Sequence, residues 1–255
     1  MDAYGKFAAV YDRLMEDVPY ETIAAMISRE IKKQKLNNNL VLDLACGTGT
    51  LTHLLSKQGF DMIGADISEE MLMKAKEKNP GVLFLNQPME ELELYGTVGA
   101  IVCCLDSFNY LTEDGALDEV LHLCNNYLEP GGLLLFDINT AFKFEHILAN
   151  NIYTFDSCDI YYTWENNYLP DEGLCDFYLT FFVKNGMQYE RFDEVHTERC
   201  YQDDEICAAL ERNGFRVKQK YDGFTDSIAK PDSERVFYVC ENIDSIQLKN
   251  TTIGR

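Results

Sequence analysis

A chain of 255 residues, 46% hydrophobic and 25% charged, has the length for one large domain or for one domain carrying an insertion. Its 22 basic and 43 acidic residues leave a formal charge of −21, a surface that repels phosphate backbones and disfavours nucleic acid as a partner. No apolar run is long enough to span a membrane, the N-terminus lacks the basic-then-apolar layout of a signal peptide, and the nine cysteines show no paired spacing; a cytoplasmic protein with reduced thiols, no disulfides and no bound metal is expected.

Residues 1–36 read as helical. Phe7, Val10, Tyr11 and Leu14 recur at helical spacing, Val18-Pro19 interrupts, and Ile23, Met26, Ile27 and Ile31 line one face of a second helix over residues 21–35. An alternation follows: a strand at 40–44, a helix at 51–57 ended by Gly59, a strand at 60–65, and a helix at 69–78 opened by Ser68 and stopped by Asn79-Pro80-Gly81. Strands at 82–85 and 99–105 come next. A helix with Leu117, Val120, Leu121, Cys124 and Leu128 on one face ends at Pro130-Gly131-Gly132, and a strand at 133–138 follows. The almost continuously apolar strands are those of a parallel sheet covered on both faces, so the pattern is doubly wound α/β.

After Thr140 the texture changes to aromatic-rich, short alternating runs. Residues 176–183 and 187–201 flank Lys184-Asn185-Gly186, a strong hairpin signal, so 141–200 reads as an inserted antiparallel sheet. The α/β pattern resumes with a helix at 203–213 closed by Gly214 and strands at 215–221 and 235–240, an antiparallel pair at the sheet edge; 243–255 reads as a polar tail. The expected organisation is one α/β domain built from residues 1–140 and 201–245, with 141–200 as a substrate or lid subdomain.

The densest signal is Val41-Leu42-Asp43-Leu44-Ala45-Cys46-Gly47-Thr48-Gly49, an apolar strand that ends in a glycine turn and opens a helix. Such a turn lets backbone approach a ligand, and the helix behind it offers free N–H groups. A dinucleotide pyrophosphate would want G-x-G-x-x-G, but the third position is Thr52. Asp43, inside the strand end, suits a ligand ammonium or sulfonium better than a pyrophosphate. Asp66, closing the next strand, can accept both hydroxyls of a ribose.

In this order the motifs resemble those of the class I S-adenosylmethionine-dependent methyltransferases. The segment from Val41 to Gly49 is similar to the family's first motif, Gly64-Ala65-Asp66-Ile67-Ser68 with Met71-Leu72 to its ribose-binding segment, and Leu128-Glu129-Pro130-Gly131-Gly132 with the following strand to its post-helix turn. The opening Tyr4 to Tyr20 and Asp106-Ser107-Phe108-Asn109-Tyr110-Leu111 look like a bacterial subgroup of poorly defined substrate. The resemblance covers roughly residues 1–139 and 201–242 and implies a Rossmann-like doubly wound seven-stranded sheet with S-adenosylmethionine as cofactor. It implies that Ala45, Cys46, Gly47 and Gly49 border the methionine end with Asp43 beneath, that Asp66 holds the ribose, that Ile67 and Met71 flank the adenine, and that Leu105 touches the methionine or ribose. Tyr11 would cover the cofactor, with Phe7 and Tyr20. The family often carries an acid after its third strand to accept from the adenine amino group; here the segment is Gln87-Pro88-Met89, so adenine recognition falls to Gln87, the Met89 backbone or packing.

Methyl transfer from a sulfonium is an in-line displacement that needs orientation and a dry site, and a base if the acceptor is an amine or hydroxyl. The candidate bases are Asp106, at the end of the 99–105 strand, Tyr110, and His196. Alternation places Glu194, His196 and Glu198 on one face of the insert and Arg199 on the other. Trp164 and Arg199 are candidates for binding the acceptor, which is expected to be a small molecule. The alternatives are an RNA-directed methyltransferase and an NAD-dependent oxidoreductase on a similar fold.

Overall fold

Strands that are apolar on both sides need helices on both sides, and the chain supplies them by alternating the two. The computed structural model describes residues 3–34, 36–157 and 159–243. Helices α1 (Ala3–Leu14) and α2 (Tyr20–Gln34) precede β1 (Leu40–Leu44), α3 (Thr50–Lys57), β2 (Asp61–Asp66), α4 (Glu69–Lys78), β3 (Leu83–Asn86), β4 (Val98–Cys103), α5 (Ala116–Tyr127) and β5 (Leu128–Asn139). Strands β6 (Ile152–Asp156), β7 (Ile160–Leu169), β8 (Leu174–Asn185) and β9 (Gln188–Arg199) follow, then α6 (Asp203–Arg212), β10 (Phe215–Asp222) and β11 (Arg235–Asn242). Lys35, at the end of the second expected helix, and residues 244–255 of the expected tail lie outside the described residues.

The main sheet has the order β10-β11-β5-β4-β1-β2-β3, parallel from β3 to β5. As expected it is seven-stranded and doubly wound, and β11 runs antiparallel to both β5 and β10. Alternate residues of the central strands enter opposite cores. Leu42, Leu44, Ile101, Cys103, Leu134 and Phe136 pack with α5 and α6, whereas Val41, Ala100, Val102, Leu133 and Leu135 pack with α2 and α3. Winding goes outward from β1 to β3 and then reverses to β4 and β5, so the crevice of this sheet lies beyond the carboxyl ends of β1 and β4.

Strands β6 to β9 form a separate four-stranded antiparallel sheet. Its inner face is covered at one end by α1, through Phe7 and Val10 against Ile160, Phe181 and Phe192, and at the other by Phe144 and Leu148 against Cys175 and Phe177. Phe144 and Leu148 belong to a π-helical turn, Lys143–Leu148, that no periodicity in the sequence announces. The hairpin forms one residue later than the Asn-Gly signal suggests. Asn185 pairs with Gln188, so Gly186 and Met187 are the loop, with Gly186 at φ 64° in the first central position. Strand β5 also begins five residues before its expected start, because Leu128 already pairs with Val98 across a register shift.

One buried amide docks the second sheet onto the first. Asn109, fully buried, donates to the carbonyls of Asn139 (3.2 Å) and Arg199 (2.9 Å) and accepts from Asn139 N–H (2.9 Å). It thereby joins the ends of β5 and β9. Asn109→Ala would strand three buried backbone groups and is expected to cost about 2–4 kcal/mol, read from urea unfolding; a change below 0.5 kcal/mol would mean the two sheets are held together elsewhere.

Candidate active site

The turn after β1 needs left-handed backbone at three of five residues: Ala45 at φ 59°, Gly47 at φ 54° and Gly49 at φ 70°. It is pinned by Cys46 N–H to the Ala65 carbonyl (3.0 Å) and Gly49 N–H to the Cys46 carbonyl (2.9 Å). Gly49 is required twice, since a Cβ there would also lie 3.0 Å from the side chains of Ala75 and Asn79 on and after α4. Asp12 of α1 accepts from Thr48 Oγ1 (2.5 Å) and pairs with Lys78 Nζ (3.1 Å), and Lys78 also reaches Thr50 Oγ1 (2.6 Å). The first helix is thus tied over the glycine turn.

Two carboxylates flank this turn. Asp43 is buried and accepts from Thr52 Oγ1 (2.5 Å). Thr52, which breaks the dinucleotide glycine pattern, is the donor that orients Asp43. Burial pushes the Asp43 pKa up to about 7, against the opposing effect of that hydrogen bond and helped by nearby Asp66. Asp66 Oδ2 accepts from Gly47 N–H (2.8 Å) and Oδ1 from Ser68 N–H (2.9 Å), and burial raises its pKa. Each oxygen keeps a second lone pair.

A third carboxylate shapes the exit of β4. Leu105 (φ 61°) and Asp106 (φ 55°) are consecutive left-handed residues other than glycine, a conformation that holds only where surroundings enforce it. Asp137, fully buried at the end of β5, enforces it by accepting from Leu105 N–H (2.7 Å) and Asp106 N–H (3.0 Å). Arg235 of β11 bonds Asp137 and pairs with Asp106 at 2.6 Å. Alongside, Asn139 Nδ2 donates to buried Glu198 (3.1 Å) and Lys143 Nζ donates to Asn139 Oδ1 (2.9 Å). Burial raises the Glu198 pKa and lowers that of Lys143.

Between these groups lies a cavity of about 60 Å³ bordered by Tyr11, Tyr20, Asp43, residues 45–48, Cys104, Leu105 and Ser107. That is room for about five water-sized groups, enough for a chain end and not for a nucleoside. Tyr11 and Tyr20 border the cavity together, and burial raises both pKa values. Outside the cavity, Ile67 is 72% exposed beside Asp66, an apolar ledge at the end of β2. Met71 N–H is taken by the Ser68 hydroxyl that caps α4 (3.2 Å). The next turn is fastened to the same place: Asn86 Nδ2 donates to the carbonyls of Asp66 (3.1 Å) and Ile67 (2.8 Å), and Gln87 N–H to Asp66 O (3.1 Å). Gln87 Oε1 accepts from Glu93 N–H, Pro88 O from Glu91 N–H, and Met89 lies against Cys103.

The other predicted residues divide. Tyr110 and His196 come together edge to face at 5.8 Å, with Phe7 of α1 on the imidazole at the same separation. Burial lowers the His196 pKa, so the ring is neutral near pH 7. Asp106 is held by Arg235. Trp164 lies on the inner face of the second sheet, between Tyr153 and Phe177. Arg199 points away from this space, to Asp114 (3.0 Å), Glu205 (3.3 Å) and the face of Tyr201. Asp137, Arg235, Lys143 and Asn109 join this neighbourhood only through the fold. For Asp137 a signal existed, a lone acid ending an apolar strand as Asp43 does; nothing local marks Arg235, 98 residues further along.

The chain belongs to the S-adenosylmethionine-dependent methyltransferases. Residues 41–132 match the model of a methyltransferase domain family. A putative methyltransferase of Bacillus subtilis, YqeM, is 35% identical over 247 residues, covering 95% of this chain and 98% of the relative. The crystal structure of an S-adenosylmethionine-dependent methyltransferase from Clostridium acetobutylicum superposes with a TM-score of 0.86 at 33% identity, over 94% of this chain and 99% of that one. A third relative, 29% identical over 132 residues, is a dTDP-3-amino-3,4,6-trideoxy-alpha-D-glucopyranose N,N-dimethyltransferase of Streptomyces venezuelae; the match spans 51% of this chain and 56% of that one. The site fits the cofactor of this family: an acid beneath a chain-end cavity, a second acid with lone pairs to spare at the end of β2, and an exposed apolar ledge next to it.

Two outcomes follow. Asp137→Ala would remove the acceptor for two strained N–H groups and leave Arg235 with one partner; a loss of about 3–5 kcal/mol in unfolding free energy is expected, and melting at the parent temperature would refute the assignment. Asp43, with its pKa raised on folding, adds stability that is full below pH ~4 and lost as pH rises through about 7. A cationic ligand reverses that preference by favouring the ionised form. Calorimetry should therefore find S-adenosylmethionine bound about tenfold more weakly at pH 6 than at pH 8, with the dependence much reduced in Asp43→Asn.

Proposed function

We propose that this methyltransferase acts on a small molecule that enters between the carboxyl edge of the main sheet and the inner face of the second one, residues 141–200 serving as the acceptor-side subdomain. The observation that carries the reading is the meeting of Tyr110, which follows the β4 turn, with His196 of the second sheet at 5.8 Å. The cofactor cavity ends at Leu105 and Ser107 of that same turn. When bound, S-adenosylmethionine supplies an activated methyl group on a sulfonium, whose loss leaves a neutral thioether.

The residues of the chain then position and exclude. Asp66 would hold the ribose, Asp43 would balance positive charge, and Tyr11 and Tyr20 close the cavity from the α1 side. Neutral His196 can take a proton from an amine or hydroxyl as it is methylated, while Tyr110 packs against its edge and Asp106, paired with Arg235, orders the turn between them. The excess of acidic residues supports a small acceptor over RNA, as does the acceptor that the Streptomyces venezuelae relative's name gives, a nucleotide-linked amino sugar.

Asp66→Ala is expected to weaken S-adenosylmethionine binding by about 1–3 kcal/mol in calorimetry, through loss of charge-assisted hydrogen bonds and of the Gly47 anchor. Unchanged affinity would remove Asp66 from the cofactor site. Incubation of the protein with tritiated S-adenosylmethionine and cell extract should place label in the fraction below 1 kDa; label in RNA or protein would overturn the small-molecule reading.

A further inference from the structure

Among the described residues, three buried side-chain atoms have no hydrogen-bond partner: Trp164 Nε1, Asn166 Oδ1 and Glu194 Oε1. They share one face of one sheet. Trp164 is registered with Leu179 and Leu179 with Glu194; one row further, Asn166 is registered with Phe177 and Phe177 with His196. In each row an apolar residue of β8 is flanked by polar groups on β7 and β9. An unmade hydrogen bond on a buried group costs about 1–3 kcal/mol, so three of them within two adjacent rows form a site in want of a ligand rather than a packing accident.

The two covers of this face meet at this place. Leu179 packs against the π-helical turn side of the face and also against the α1 side. The Trp164–Leu179–Glu194 row is therefore the seam between the two covers, and the next row carries His196, which meets Tyr110 a short way along the chain from the cavity wall at Leu105 and Ser107. The chemistry of the three groups is specific. Indole Nε1–H only donates. The Asn166 amide nitrogen is spent on the Leu148 carbonyl (3.1 Å), leaving its oxygen to accept. Glu194 is 5% exposed, belongs to no ion pair, and offers a carboxylate; burial alone raises its pKa, a penalty that an incoming cation relieves. Strand spacing sets the backbones of Trp164 and Glu194 about 10 Å apart with Leu179 of β8 between them, so a ligand that reaches both groups lies over Leu179.

We infer that this seam is the acceptor site and that the acceptor is a hydroxylated amine, its ammonium on Glu194 and its hydroxyls between Trp164 Nε1 and Asn166 Oδ1. The inference rests on the methyltransferase reading of the adjoining cavity and names its substrate class. Trp164 is the only tryptophan of the chain, so intrinsic fluorescence reports occupancy of the seam directly.

The probes are D-glucosamine and D-glucose at matched ionic strength, which differ at one carbon by ammonium against hydroxyl. Glucosamine should shift Trp164 emission saturably at a concentration about tenfold below that needed for glucose, and Glu194→Gln should bring the two sugars to within twofold. Equal responses from the parent protein would mean the three groups hold only water and would overturn the proposal, with no variant needed. A preference that survives in Glu194→Gln, with its fold confirmed by an unchanged melting temperature, would overturn the role of Glu194. Neither titration uses S-adenosylmethionine, so their failure leaves the cofactor reading standing, and that reading fails instead on the calorimetry of Asp66→Ala.

Discussion

Taking a carboxylate out of water costs several kcal/mol unless its oxygens are met by donors and opposite charge, and Asp137 is the place where this chain accepts that constraint and builds around it. Two amide donors come from consecutive left-handed residues, Leu105 and Asp106, and the charge comes from Arg235 of β11. The exit of β4 cannot relax without stranding the buried anion, and Asp137 cannot stay ionised without that exit. Because Leu105 walls the cavity after β1 and Tyr110 follows one helical turn later, both residues inherit their positions from this one group.

Three acids close three strands, and each is satisfied differently. Asp43 has a hydroxyl donor and no cation, Asp66 has two amide donors, and Asp137 has amides and a guanidinium. The consequence is graded demand for positive charge. Asp137 already faces a guanidinium, whereas burial pushes the Asp43 pKa up to about 7, so Asp43 gains most from a cationic neighbour. A pyrophosphate would meet charge of its own sign at this turn, whereas a cation would meet the charge it needs.

The second sheet is joined to this apparatus by polar contacts at one edge and by apolar cover on its inner face. Asn109 and the Asn139–Glu198 pair fasten β9 to β5, and α1 lies across both units, with Asp12 on the glycine turn and Phe7 on Phe181 and His196. One helix therefore touches both the glycine turn and the inner face of the second sheet. The polar atoms left unmet on the inner face sit beside Leu179, which packs toward both that helix and the π-helical turn.

Much of this was legible along the chain. Alternating apolar runs determined the doubly wound sheet, because a strand apolar on both sides has one stable environment; Ser68 predicted the start of α4, and Gly47, Gly49, Asp43 and Asp66 marked the glycine turn and its two flanking carboxylates, because turn geometry and charge are local properties. Period-two alternation likewise put Glu194, His196 and Glu198 on one face of the insert. What only the tertiary structure decided were the pairings at a distance. Arg235 reaches Asp106 and Asp137 across about a hundred residues, Thr52 becomes the donor to Asp43, Asn109 bridges two sheets, and Arg199, a candidate ligand by its charge, is turned to Asp114 and Glu205. A side chain's partner depends on which elements the fold brings together, and no local pattern carries that; a sequence shows which groups must be satisfied, and packing decides by whom.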